Sequence, residues 1–290
     1  MTQQPSSKPV FPREIAQYID VAAYLLDARA PAATLYLDGS LTGKELLLLT
    51  RAGQAEAAAT RRWHGYFSRA GYQTLVIDSL SGQGIPVVLD YLARLLKRKL
   101  AVARRLGLQE AVLRVVALGV PNVGKSTFLN KLIGGRRLRT GDVPGVTRGR
   151  QWVKVFDDVE VLDTPGILRD PALLRRRKPY WMLLNLMPYD ETLREEAVAL
   201  LLERLGPGGL RKAEQLYRAE ADSLRGADWA AVLEAVAQAG GYHSRSPEGV
   251  EKAARRLLRD FQVGRLGRLT LEEPGEAAIT SPFFRGQVAD

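Results

Sequence analysis

Gly119-Val120-Pro121-Asn122-Val123-Gly124-Lys125-Ser126-Thr127 separates an apolar run, Leu113–Leu118, from a segment of helical periodicity, Lys125–Leu132. This is the G-x-x-x-x-G-K-[ST] pattern in its required place between a strand and a helix. Glycines at both ends let the backbone curl until its N–H groups converge on phosphate oxygens. The helix N-terminus adds a positive dipole end. Lys125 can reach β- and γ-phosphates, and the Ser126 hydroxyl can ligate Mg²⁺. Asn122, Val123, Gly124, Lys125, Ser126 and Thr127 are therefore the expected phosphate-side contacts.

Outward from the loop, strand-like and helical segments alternate. Glu45–Leu49, Thr74–Ile77, Leu113–Leu118, Gln151–Val155 and Val159–Leu162 read as strands. Ile15–Leu26, Ala55–Ala70 and Ile85–Leu106 read as helices. The expected fold is α/β, a doubly wound and mostly parallel sheet. A basic run, Arg175-Arg176-Arg177-Lys178, marks a change of character, and a small all-α domain is expected after it. Asp228 reads as the N-cap of one of its helices. The expected boundaries are a flexible arm over 1–14, the α/β domain over 15–174, the helical domain over 175–272 and a loose tail over 273–290.

Two elements downstream of the loop complete a phosphate and metal site. Asp163-Thr164-Pro165-Gly166 follows the apolar strand Val159–Leu162. An aspartate there can hold Mg²⁺ through a water, and the Gly166 N–H can meet a γ-phosphate. Between the two lies Pro144-Gly145-Val146-Thr147, whose threonine can close on Mg²⁺ when a γ-phosphate is present. Either tetrapeptide alone could be an ordinary turn. The expected catalytic set is Lys125, Thr147 and Gly166, and the Mg²⁺ set is Ser126, Thr147 and Asp163.

Composition narrows the partners. The chain has 290 residues, 42 Lys and Arg against 32 Asp and Glu, and a formal net charge of +10. Such a balance favours a polyanionic partner. No cysteine and only two histidines leave no basis for a structural metal or a disulfide framework. No apolar stretch is long enough to span a bilayer, and the first residues lack the apolar core of a signal peptide, so a cytoplasmic protein with no membrane partner is expected. Arg255, Arg256 and Arg259 on a helical segment, with Arg265 and Arg268 in a glycine-spaced loop, are candidate contacts to a nucleic-acid backbone.

The runs GVPNVGKSTFLNKL, GDVPGVT and VLDTPGI resemble a translation-factor-type GTPase. Leu25-Leu26-Asp27-Ala28-Arg29-Ala30-Pro31 resembles the DAR-x-P signature of circularly permuted GTPases, whose base-recognition motifs precede the phosphate loop. With Trp63-His64-Gly65-Tyr66-Phe67, Ser81-Gly82-Gln83-Gly84 and the stretch Leu258–Arg268, the chain is similar over nearly its whole length to the bacterial ribosome-biogenesis GTPase A family. The resemblance implies GTP and GDP binding with Mg²⁺, K⁺ held beside the phosphates by Asn122, and a slow GTPase stimulated by the ribosome. It also implies a partner, the large ribosomal subunit or its precursor, contacted through rRNA. A monomer is expected.

Where that family carries N-K-x-D, this chain has Thr50-Arg51-Ala52-Gly53. Arg51 can stack on a base. Gly53 has no carboxylate to accept the guanine N1–H and N2–H₂, which predicts weakened guanine selectivity. Ser79 lies in the expected base loop, where the backbone can meet guanine O6. The N-terminal run Val10-Phe11-Pro12-Arg13-Glu14 lacks the family histidine, and Ile167 follows Gly166 where many GTPases have a water-positioning glutamine. Two alternatives stay open: a non-catalytic rRNA-binding module with a relaxed nucleotide pocket, and a P-loop NTPase of other base specificity.

Overall fold

The computed structural model describes residues 13–134, 140–141, 152–156, 158–163, 171–218, 229–244, 246–275 and 284. Seven described strands form one sheet: β1 Val21–Asp27, β2 Glu45–Thr50, β3 Gln73–Val76, β4 Leu113–Leu118, β5 Thr140–Gly141, β6 Trp152–Phe156 and β7 Val159–Asp163. Their order is β3-β2-β1-β4-β7-β6-β5. The first five in that order are parallel, and β6 and β5 are antiparallel additions at one edge.

Strand β1 corrects the helix expected over Ile15–Leu26. Ile19, Ala22, Ala23 and Leu26 do fit a helical repeat. Val21–Leu26, however, is an unbroken apolar run, and every residue of β1 is buried. A central parallel strand is covered on both faces and so loses the alternation that would mark it as a strand. Val21, Ala23 and Leu25 face one core, with Leu46, Leu48, Val115 and Ala117. Ala22, Tyr24 and Leu26 face the other, with Leu47, Leu49, Val116 and Leu118. This two-sided division is the doubly wound arrangement.

Helix Ala57–Arg69 covers the second face through Trp63 and Phe67, both fully buried. Helix Ile85–Arg105 covers the first through Ile85, Val88, Leu92 and Leu96. The helices after the sheet, Pro171–Leu183, Arg194–Arg204, Pro207–Tyr217, Trp229–Gly240 and Pro247–Gln262, share that first core: Leu201, Val236 and Leu257 belong to the same cluster as Leu25 and Val115. The helix Pro171–Leu183 runs straight through residue 175. Asp228 lies outside the described residues. Within the tail, Phe284 is buried, stacked on Tyr72 at 5.5 Å and on Tyr66 at 5.9 Å between ring centres.

Candidate nucleotide site

Chain direction puts the site where it is. β1, β2 and β3 step away from β4 to one side, and β7 lies on the other, so a crevice opens beyond the C-terminal ends of β1 and β4. The loop 119–124 leaves β4 into this crevice. Gly119 has φ +155°, and a Cβ there would lie 2.9 Å from the Leu25 carbonyl oxygen and from Val123. Only glycine lets the loop press against β1. Gly124 has φ +109° and opens the helix Lys125–Ile133, whose first N–H groups have no acceptor within the helix and whose first residues line the crevice.

Lys125 is buried, and its Nζ donates to the carbonyls of Gly119 and Val120 at 3.1 Å each. The ammonium is thereby curled over the loop that would hold phosphates. Asn122 sits at φ +61°, and its Nδ2 donates to the Leu186 carbonyl at 3.4 Å. A cavity of about 660 Å³ opens beside Lys125, Ser126 and Thr127 and is closed by Arg51, Asn185 and Met187. A second, of about 300 Å³, is walled by Thr50, Asp78, Ser79 and Leu80 on one side and Leu184, Arg259, Gln262 and Val263 on the other. The two share Arg51, Gly124, Thr127 and Asn185. A larger and a smaller chamber thus meet at the loop, the one beside Lys125 and Ser126 a candidate for phosphates and the other a candidate for a base.

A buried ion network frames the crevice. Asp27, at the end of β1, takes two hydrogen bonds from the Arg29 guanidinium, at 2.9 and 2.8 Å. Burial opposes its charge, but Arg29 and then Arg51 outweigh that and hold the carboxyl below its usual range. Arg51 is left-handed at φ +54° and donates to Asp27 at 3.2 Å, to the Leu184 carbonyl at 3.2 Å and to the Asn122 carbonyl at 3.0 Å. Its guanidinium therefore lines both chambers while bracing the phosphate loop. Thr50 is buried and donates to the Leu26 carbonyl at 3.0 Å.

A family model described as 50S ribosome-binding GTPase matches residues 114–215. A Bacillus pumilus protein, ribosome biogenesis GTPase A, is 30% identical over 268 residues, covering 90% of this chain and 93% of that one. The chain belongs to the ribosome biogenesis GTPase A family. The Bacillus cereus protein of the same name is 31% identical over 270 residues, or 91% of this chain and 89% of that one. Among solved structures, a GDP-bound YlqF has a TM-score of 0.63 at 23% identity, covering 91% of this chain and 99% of that one. A GNP-bound YlqF from T. maritima gives 0.61 at the same identity. At that identity the likeness is one of fold.

In this ribosome biogenesis GTPase A member the crevice brings together Asn122, Val123, Gly124, Lys125, Ser126, Thr127, Thr50, Arg51 and Ser79. Thr147, Gly166 and Ile167 lie outside the described residues, as do Val10–Pro12. Of Asp163 only the backbone is described; it ends β7 in register with Ala117 of β4, one strand from the loop. The loop's glycine-built cradle fits a polyphosphate, and Ser126, exposed at the helix start, fits the serine of an Mg²⁺ site.

The five C-terminal arginines do not form one bare patch. Arg255 lies 4.0 Å over the Tyr189 ring and pairs with Glu251 at 2.7 Å. Arg265 pairs with Asp260 at 3.0 Å, and Arg256 reaches the same carboxylate at 3.9 Å. Arg259 lines the smaller chamber, and Arg268 is exposed. That Leu184, Asn185, Gln262 and Val263 form a wall of this chamber has no local sequence signal, because they come from helix ends far apart along the chain. Asp78 did carry one: an acidic residue closing a strand, in Asp78-Ser79-Leu80-Ser81-Gly82.

Proposed function

We propose that this chain binds GTP and GDP with Mg²⁺ in the paired chambers and hydrolyses GTP slowly, as a ribosome-stimulated switch in large-subunit assembly. The observation that carries the reading is the junction at Gly124–Thr127, where a glycine-built phosphate cradle meets a second, purine-sized chamber. Family membership and the fold likeness to GDP- and GNP-bound YlqF support it. Lys125 would place positive charge on the β- and γ-phosphates, and the loop N–H groups would hold and orient them. Ser126, Thr147 and Asp163 would hold Mg²⁺, which when bound supplies charge neutralisation on those phosphates. Asn122 would add a K⁺ site beside them.

No side chain positioning water is expected, since Ile167 follows Gly166, so turnover of the free protein is slow. The partner is the large ribosomal subunit or its precursor, met through rRNA phosphates by a monomer in the cytoplasm. A net charge of +10 and the exposed Arg268 support an RNA partner, and among the described residues no helix is long and apolar enough to cross a membrane. The test is GTP turnover by purified protein in K⁺ or Na⁺ buffer, with and without large subunits. Stimulation by the particles is expected. A rate unaltered by them, in either salt, would remove the switch reading.

A further inference from the structure

Gly53 leaves the base chamber without the carboxylate that its position calls for, yet that space is not empty. A Cβ built on Gly53 would lie 2.6 Å from Oδ2 of Asp78. The Asp78 carboxylate occupies the volume from which a side chain at residue 53 would project. It sits on the wall of the smaller chamber beside Ser79, whose hydroxyl is buried without a hydrogen-bond partner.

The carboxylate is fixed from three directions. Oδ1 accepts the N–H of Leu80 at 3.0 Å and of Ser81 at 3.1 Å, and Oδ2 accepts the N–H of Gly53 at 3.0 Å. Each carboxylate oxygen has two acceptor positions, so Oδ2 keeps one unused by these bonds. Burial raises the pKa of the group, but the N–H groups of Ser81, Gly53 and Leu80 outweigh it and hold the carboxyl below its usual range. A fixed, ionised acceptor at a purine-sized chamber distinguishes bases by their edges. Guanine offers N1–H and an exocyclic amine to an acceptor. Adenine offers a bare N1 and no amine at C2.

We propose that Asp78 is the specificity-determining residue for guanine in this chain, its carboxylate supplied from the end of β3 in place of the one absent at Gly53. The proposal rests on the guanine-nucleotide reading above. It also reverses the simplest repair. Gly53→Asp would press a second carboxylate against the first, and two like charges in that space oppose each other.

Calorimetric titration of the full chain with GDP, XDP and ADP tests it. Wild type should prefer GDP; equal affinity for ADP would count against the guanine reading itself rather than against Asp78 alone. Asp78→Asn keeps an acceptor for N1–H but turns an N–H₂ toward the purine C2 substituent, repelling an amine and matching the xanthine oxygen. It should weaken GDP by about 10- to 100-fold and raise the XDP to GDP ratio. A merely structural role for Asp78 would lower all three nucleotides together, and that outcome, or an unchanged XDP to GDP ratio, overturns the proposal. Asp78→Glu retains the charge and should keep the preference for GDP over XDP at reduced affinity. If it shifts toward XDP as the asparagine does, the charge is not what reads the base.

Discussion

The guanidinium of Arg51 donates to the main-chain oxygen of Asn122 at 3.0 Å, so the end of β2 is tied directly to the phosphate loop. The same side chain grips Asp27 and the Leu184 carbonyl. Arg51→Lys keeps one charge but cannot span three acceptors in a planar fork. The variant should fold, with a weaker hold on the loop and GDP affinity lowered by about tenfold, the value of one charge-assisted hydrogen bond of about 1.5 kcal/mol. Calorimetry with GDP checks it, and unchanged affinity would mean that the loop keeps its shape without this brace.

Asp27 is fully buried against Arg29, itself 1% exposed. Asp27→Ala strands a buried guanidinium. A loss of about 3–5 kcal/mol in unfolding free energy is expected. Urea denaturation measures it, and a loss below about 1 kcal/mol would show that water or another acceptor reaches Arg29.

Lys125→Ala removes the ammonium held over the loop. Binding of GTP to the free protein should fall below detection by calorimetry while the melting temperature stays near that of wild type. A variant that still binds GTP at wild-type strength would exclude Gly119–Thr127 as the phosphate site.

Glu272 is buried and accepts the N–H groups of Ala32 and Ala33 at 2.8 and 3.0 Å. Burial pushes its pKa up to about 7, against those hydrogen bonds and the charges of Arg177 and Arg204. The folded chain therefore keeps a proton that the unfolded chain releases near the ordinary value of 4.5. This contribution to stability is whole below that value and is lost as pH rises through about 7. Unfolding free energies at about pH 5 and about pH 8 should differ less in Glu272→Gln than in wild type. An identical difference in both proteins would place the pH dependence elsewhere.

Ribosome docking should be salt-sensitive, and the arginines should contribute unequally. Arg255, Arg256 and Arg265 each lie near a carboxylate, so they give up an existing partner when they meet phosphate. Arg268→Ala should lower the slope of log affinity against log salt by about 1, and Arg256→Ala by less. Sedimentation with large subunits over a salt series reads both. Equal slopes for the two variants would mean that these ion pairs do not matter to docking.

The parts of the site legible in the sequence are those built from contiguous residues. Gly119–Gly124 joins β4 to the helix Lys125–Ile133 as its pattern implies, and β2, β3, β4, β6 and β7 fall within one or two residues of their expected runs. β1 escaped because a strand covered on both faces has no alternation to display. The far wall of the base chamber escaped for a different reason. Leu184, Asn185, Gln262 and Val263 reach it only through packing of helices onto the sheet, and packing leaves no local spacing. Gly53 could be recognised as lacking a carboxylate, whereas only coordinates bring Asp78, 25 positions later, to the same place.

Phe284 fits between Tyr66 and Tyr72, and the Glu272 carbonyl accepts the indole N–H of Trp63 at 2.9 Å. During synthesis these partners are separated by most of the chain. Tyr66 and Tyr72 emerge more than 200 residues before the ring that stacks on them. A truncation before residue 284, or a bulky C-terminal fusion that displaces it, should therefore leave an apolar surface open to aggregation, although every residue of the nucleotide crevice is present.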